Sequence, residues 1–218
     1  MAKAKSIIFK TPWGKISFPY LSKIDSGRAE SSNKYGAELF ITLSDLKETP
    51  EGSALIEEVM RVAKAFFDDE SITLKDFKNP FTVTNSMPEN KRMKLNESVR
   101  KDNVLLRAKS NDKPTIFGPG GKTDILTTDE QINNIRGGDI CRLIVDVFPY
   151  KQQGGGVTLG LKAVQFKQKG IAFGRGDNKE LVLDCIDEVE VDASDVTGGI
   201  VDSQPQDTTS AALNDLIS

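Results

Sequence analysis

Hydrophobic and polar residues alternate along several stretches of this chain, as they do in β-strands with one buried face. The pattern is clearest over residues 139–150 and 157–167, which a glycine-rich turn separates, so the sequence predicts a long β-hairpin there. Near the N-terminus, Ile16, Phe18 and Tyr20 fall on alternate positions and are predicted to share one face. Further extended segments are predicted at residues 6–20, 35–43, 81–84, 104–109, 115–117 and 181–186.

A helical period replaces this alternation in one region. Residues 52–68 predict an amphipathic α-helix, and a shorter helical turn is predicted over residues 127–135, opened by Thr128 or Asp129. The order of strands around the helix favours a mainly β fold, a small closed β-barrel with an inserted α-helix, over a parallel α/β sheet. A two-sheet sandwich remains the alternative. The apolar stripe of the long helix consists of Leu55, Val59, Val62, Ala63 and Phe66.

Charge is distributed unevenly along the chain. The 218 residues contain 29 basic and 32 acidic side chains, yet every basic residue lies at or before Lys179, so the first 180 residues carry a net charge of +6. Residues 181–218 carry nine acids and no base. A basic body predicts a polyanionic partner. From Asp187 onward the sequence is acidic and rich in Ser, Thr and Gly, which predicts a disordered tail over 187–218 after a folded domain over 1–186.

Composition also excludes several chemistries. The chain contains no histidine, so a histidine base is excluded and a zinc site is disfavoured, and we expect no metal and no cofactor. The apolar runs are too short to cross a bilayer and the first residues do not form a signal peptide, so we expect a cytosolic protein with no membrane partner. Cys141 and Cys185 are expected to be reduced and buried.

The polar faces of the strands combine aromatic and basic side chains. Arg107 and Lys109 share one side of their strand, and Arg142, Phe148 and Tyr150 share the side of the long strand that faces away from the core. Rings stack on nucleobases and cations neutralise phosphates, so this pattern favours single-stranded nucleic acid. Rings packed beneath the helix are the alternative, because a one-residue change of register exchanges the two faces. The predicted DNA-binding residues are Trp13, Lys15, Lys23, Arg28, Tyr35, Phe40, Arg92, Lys94, Arg107, Lys109, Arg142, Phe148, Tyr150 and Lys151.

Two other motifs suggest catalysis only at first sight. The glycine-rich run before Lys122 and Thr123 has Ile116 where a phosphate-binding loop needs glycine, and no helix is predicted after it, so it is interpreted as a turn. Acids cluster around Asp184 and could hold magnesium in a nuclease. Because this cluster leads into the predicted disordered tail, a solvated run of charge is the preferred interpretation, and a magnesium-dependent nuclease stays as an alternative function.

The segment over residues 135–174 is the most distinctive in the chain. A glycine pair opens its long strand, an aromatic pair, Phe148 and Tyr150, closes it, and Gly170 and Gly174 follow the return strand. This pattern resembles the last hairpin of tailed-phage single-stranded-DNA-binding proteins. Residues 11–16 and 113–116 also fit that family. In the return strand the family pattern G-V-x-x-G-L-x-x-V-Q is matched by Gly156, Val157, Gly160, Leu161, Val164 and Gln165.

The resemblance implies an OB-fold that binds single-stranded DNA with little sequence preference, without catalysis, in phage DNA replication, recombination or repair in the host cytoplasm. It also implies an acidic tail that docks replication proteins such as a polymerase or helicase, although this tail ends without the aromatic residue that related tails carry. A structural protein of the virion stays as a third hypothesis, and self-association is left open. The predicted docking residues of the tail are Leu213, Asp215, Leu216 and Ile217.

Overall fold

The computed structural model describes residues 7–24 and 34–173. Their strands are β1 (Ile8–Lys10), β2 (Gly14–Tyr20), β3 (Tyr35–Thr42), β4 (Phe81–Val83), β5 (Asn103–Ser110), β6 (Thr115–Phe117), β7 (Ile140–Tyr150) and β8 (Gly156–Gln168). Their α-helices are α1 (Leu43–Glu48), α2 (Pro50–Phe67), α3 (Glu89–Arg92) and α4 (Asp129–Asn133). Each strand predicted within the described residues is present, and the ends differ by one to a few residues.

Five of these strands close into a barrel. Around the ring, β2 pairs with β3, β3 with β5, β5 with β8, β8 with β7, and β7 with β2. Every pairing is antiparallel except that of β5 with β8. A five-stranded barrel with this order and this one parallel pair has the topology of an OB-fold, so the predicted mainly β barrel is confirmed and the sandwich alternative is not.

The barrel is held together by alternate side chains that point into it. Leu39, Leu106 and Leu143 come from three different strands of the ring and are fully buried. Burying one such side chain contributes about 1.5–3 kcal/mol. Truncation of Leu143 to Ala would cost about 2–5 kcal/mol, because the surrounding strands cannot collapse onto the cavity. Other members of the same cluster are Ile16, Ala37, Ile41, Val104, Ala108, Cys141, Val145, Leu159 and Leu161.

Helix α2 closes one side of the barrel. Thr49 caps its N-terminus by accepting a hydrogen bond from Gly52 N at 3.1 Å, and Pro50 occupies the first turn, where a missing N–H costs nothing. Its buried stripe of Leu55, Val59, Val62 and Ala63 packs into the barrel core, which confirms the helix predicted over residues 52–68. Phe66, predicted for the same stripe, is instead half-buried and packs edge-to-face on Phe67. The short α4 is confirmed as well, since Thr128 and Gln131 form a capping box at its start.

Residues 84–102, here called the covering segment, lie over the outer face of β3 and β5. The hydroxyl of Thr84 donates to Asn103 O at 3.0 Å, and Asn85 and Asp102 exchange two hydrogen bonds of 2.9 Å, so both ends of the segment are fixed. Val99 of this segment packs onto Phe40 of β3 and Leu105 of β5, and the three form a second, smaller apolar cluster on the outside of the barrel. The sequence predicts this region as irregular, because its apolar residues follow neither period.

Several expectations fall beyond the described part of the chain. The strand over 181–186, the disordered tail, the boundary at residue 186 and the burial of Cys185 all lie outside it. Cys141 is buried, as predicted. Within the described ranges, the helices are too short or too polar to cross a membrane.

Candidate nucleic-acid interface

One groove on the outer face of the barrel brings four of the predicted DNA-binding residues together. This hairpin groove has a volume of about 440 Å³ and lies where β5 meets the β7–β8 hairpin. Arg107 and Lys109 approach it from β5, and Phe148 and Tyr150 from the end of β7. Lys34 and Thr158 also line it.

The pairing of β7 with β8 sets the position of the Phe148 ring. Asp146 lies opposite Gly160, and Phe148 lies opposite Thr158, so glycine leaves room beside the ring on the outer face. A Cβ atom on residue 160 would lie 3.0 Å from Cε1 of Phe148 and would overlap Oδ1 of Asp146. The ring of Phe148 therefore packs against the bare backbone of Gly160, while 44% of the residue stays exposed.

Two ion pairs control the charge of this face. Nε of Arg107 donates to Oε1 of Glu38 at 2.8 Å, which orients the guanidinium while its side chain stays half exposed. Nζ of Lys162 lies 2.9 Å from Oδ2 of the buried Asp146. The other oxygen, Oδ1 of Asp146, is buried without a hydrogen-bond partner, so Lys162 offsets only part of the cost of burying this carboxylate. Lys109 is exposed beside these pairs.

A second groove, of about 920 Å³, lies between β2 and the covering segment. Phe18 forms one wall, Met93, Lys94 and Arg100 form the other, and Phe40 contributes to the floor. Lys94 is exposed and Arg92, on α3, is half-buried. This covering-segment groove therefore combines an aromatic side chain with basic ones, as the hairpin groove does.

Trp13 and Arg142 form a third location. The guanidinium carbon of Arg142 lies 4.5 Å from the centre of the Trp13 ring, and Nζ of Lys167 lies 5.4 Å from it. Nε of Arg142 also donates to Oε1 of Gln165 at 2.9 Å. Arg142 is six residues before Phe148 on β7, or about 20 Å along an extended strand. Trp13 and Arg142, both predicted to bind DNA, therefore contact each other at a distance from the hairpin groove.

The remaining predicted residues are scattered. Phe40 is only 3% exposed and packs edge-to-face on Phe173 with 5.9 Å between ring centres, so its role in this structure is packing beneath the covering segment. Lys15 is half-buried on β2, opposite Phe40, and Tyr35 is half-buried at the start of β3. Exposed positions are taken by Lys23 and Lys151. Outside the described residues lie Arg28 and the tail residues Leu213, Asp215, Leu216 and Ile217.

Two contributors are not predicted from the sequence. Lys34 directly precedes Tyr35 at the start of β3, but the polar stretch in which it lies carries no strand pattern. Phe18 was predicted to share a face with Ile16 and Tyr20, and this is wrong. Ile16 is buried, whereas Phe18 is 49% exposed, because the register of β2 with β3 shifts between Ser17 and Tyr20. A bulge of this kind reverses the alternation, and the local signal for it is Pro19, which cannot donate to the strand ladder and is typical of bulges and strand edges.

The described residues contain no evident metal-binding site. Their His, Cys, Asp and Glu side chains form no group of three that could hold a metal ion. The acids around Asp184, which motivate the nuclease alternative, lie outside the described ranges.

The OB topology and a groove lined by rings and cations define the class to which this molecule belongs, the OB-fold proteins with a basic, aromatic outer face. Within that class, the chain belongs to the family described as the single-stranded-DNA-binding protein of Enterobacter phage Enc34, whose model matches residues 7–194. Among curated proteins, none matches this chain.

Solved structures share the fold. The chain is similar to the single-stranded-DNA-binding protein of bacteriophage Enc34 in complex with single-stranded DNA, with a TM-score of 0.62 and 14% identity over 80% of this chain and 100% of that one. It is also similar to gp2.5, a single-stranded-DNA-binding protein encoded by bacteriophage T7, with a TM-score of 0.51 and 18% identity over 91% of this chain and all of that one. The predicted family resemblance is confirmed.

Proposed function

We propose that this protein binds single-stranded DNA without catalysis and with little sequence preference, and coats single strands in the host cytoplasm during phage DNA replication, recombination or repair. The observation that carries the proposal is the hairpin groove, in which an exposed ring and three cations lie together on the outer face of an OB barrel. Membership of a family named for single-stranded-DNA binding supports it.

The chemistry of the groove accounts for sequence tolerance. Every nucleobase has a π-face, so stacking on Phe148 and Tyr150 contributes about 1–3 kcal/mol per base whatever the base. Phosphates are neutralised by Lys34, Arg107 and Lys109, and release of their counterions makes the affinity fall as salt rises. Both contributions act on features that all single strands share.

The acidic tail has a regulatory and a docking role in this proposal. Residues 187–218 carry eight acids and no base, and they are tethered to a basic body, so they compete with DNA at high effective concentration. When DNA displaces the tail, Leu213, Asp215, Leu216 and Ile217 become free to dock a replication protein such as a polymerase or helicase.

A titration of labelled oligonucleotides at two salt concentrations, with and without magnesium, tests this function. We expect binding that weakens steeply with salt, depends little on base sequence, and leaves the oligonucleotide intact when magnesium is added. Cleavage in magnesium would instead support the nuclease alternative. Absence of binding at low salt, together with recovery of the protein from purified particles, would support a structural role in the virion.

A further inference from the structure

We propose that the covering-segment groove is a second subsite for the same DNA strand, where Phe18 stacks on a base and Lys94 contacts a phosphate. This inference rests on the proposed function and extends it. The hairpin groove would hold one stretch of nucleotides, and the strand would continue across β3 and β2 into the covering-segment groove, which has about twice the volume.

The backbone at Phe18 is arranged to present its ring. Phe18 has φ of 44°, a left-handed conformation that is strained for a bulky residue. The alternation that puts Ile16 inside the barrel would also put Phe18 inside, but the bulge after Ser17 turns the residue outward. A strained backbone therefore holds a large aromatic side chain, 49% exposed, in the wall of the covering-segment groove.

The opposite wall is preformed. Nε and Nη2 of Arg100 donate to Leu95 O at 2.9 Å and to Met93 O at 3.2 Å, so this side chain fixes the loop on which Lys94 stands. Val99 and Leu95 anchor the loop from below, in the outer apolar cluster. Met93, 55% exposed, adds an adaptable apolar surface next to Lys94. The wall therefore needs little ordering when a ligand arrives.

Charge decides which ligand the groove fits. Lys94 and Arg100 line it, and none of its described lining residues is acidic. The covering segment as a whole carries five basic and three acidic side chains. A polyanion with flat apolar groups matches this lining better than an acidic or an apolar peptide, because each nucleotide supplies both a phosphate and a ring.

The two grooves are joined by one row of side chains. Ser17 pairs with Glu38 across β2 and β3, and Glu38 pairs with Arg107 across β3 and β5. Ser17 lines the covering-segment groove and Arg107 lines the hairpin groove. Two strand spacings separate them, or about 10 Å. A DNA strand leaving one groove would therefore reach the other after crossing a single acidic residue, Glu38, which is paired with Nε of Arg107.

Oligonucleotide length separates this subsite from the hairpin groove. Binding of oligo-dT of about 4 and about 16 nucleotides, which span the site sizes of single OB folds, is measured by anisotropy. Phe18→Gly removes the ring where glycine tolerates the positive φ, and Lys94→Gln removes the charge. We expect Phe18→Gly to weaken binding of the longer oligonucleotide about five-fold or more, with no change for the shorter one. Phe18→Trp is the matched control that keeps a ring and should bind as the wild type does.

Arg107→Gln, in the hairpin groove, should weaken binding of both lengths. If Phe18→Gly and Lys94→Gln leave both lengths unaffected while Arg107→Gln weakens both, the second subsite is wrong and the proposed function stands. Equal losses on both lengths would also overturn the subsite, and failure of the wild type to bind either length would overturn both. As a direct readout, Phe18→Trp in a Trp13→Phe background should be quenched by the longer oligonucleotide only.

Discussion

Gly160 lies against the ring of Phe148 so closely that a Cβ atom on residue 160 would be 3.0 Å from Cε1 of that ring. The same Cβ would overlap the carboxylate of Asp146, which is buried and paired with Lys162. This glycine belongs to the pattern G-V-x-x-G-L of the return strand. The pattern therefore has a physical reason, since it leaves space for the exposed ring on the neighbouring strand.

Gly160→Ala should lower both stability and DNA affinity. The new methyl group forces Asp146 and Phe148 to move, and overpacking of this kind costs about 1–3 kcal/mol. Urea denaturation would measure the loss of stability, and anisotropy with oligo-dT the loss of affinity. Phe148→Ala is the matched control, because it removes the ring without overpacking and should reduce affinity alone. A Gly160→Ala protein with wild-type stability would show that the strands absorb the methyl group.

Phe148 and Phe40 should respond in opposite ways to truncation. Phe148→Ala removes an exposed ring, so we expect affinity for single strands to fall by about 1–3 kcal/mol with the fold intact. Phe40→Ala removes a ring that is 3% exposed, so we expect a loss of stability of about 3–5 kcal/mol. Denaturant curves and binding isotherms on both variants make the comparison. Loss of affinity in a stably folded Phe40→Ala protein would assign this ring to DNA contact instead.

The strands and long helix could be predicted because their burial follows a regular period. Cys141, Leu143 and Val145 alternate on β7, and Leu55, Val59 and Ala63 recur along α2. Which side chains of the outer face are buried and which are exposed could not be predicted in the same way. Phe40 and Arg107 both lie on it, yet the covering segment buries the first and leaves the second half exposed. Which residues a non-periodic segment covers is decided by tertiary packing, which neither strand encodes locally.

The pair of Glu38 and Arg107 should set the strength of the salt dependence. Glu38 faces the path proposed for the DNA backbone and holds Nε of Arg107 at 2.8 Å. Glu38→Gln removes a negative charge, so we expect tighter binding at low salt. Arg107→Gln should weaken binding and make the log–log salt slope about 0.7 shallower, as expected for one lost phosphate contact on a single strand. Titrations over a series of salt concentrations measure both. An unchanged slope for Arg107→Gln would place this guanidinium away from the phosphates.

The thiol of Cys141 should be protected until the barrel unfolds. Burial raises the pKa of Cys141 far above its ordinary value, and the nearby carboxylate of Asp139 acts in the same direction, so the reactive thiolate is not formed at neutral pH. In a Cys185→Ser protein, we expect alkylation of Cys141 to follow global unfolding in urea. Because the folded state holds this proton more tightly, its contribution to stability is present below the pKa of the unfolded thiol and is lost as the pH rises above it. Rapid alkylation under native conditions would contradict this prediction.

Neutralising the tail should tighten DNA binding most at low salt. A full-length variant with the eight acids of residues 187–218 changed to Asn or Gln keeps the tail length and loses its charge. Electrostatic competition reaches about 30 Å at 0.01 M salt and about 8 Å at 0.15 M, so the gain in affinity should shrink as salt is added. A second variant, with Leu213, Leu216 and Ile217 changed to Ser, keeps every acid and should compete with DNA as the wild type does while failing to retain the phage polymerase or helicase in a pull-down. If the first variant has the wild-type dissociation constant at low salt, the tail does not compete with DNA. If the second variant still retains the polymerase or helicase, the partner docks on residues other than Leu213, Leu216 and Ile217.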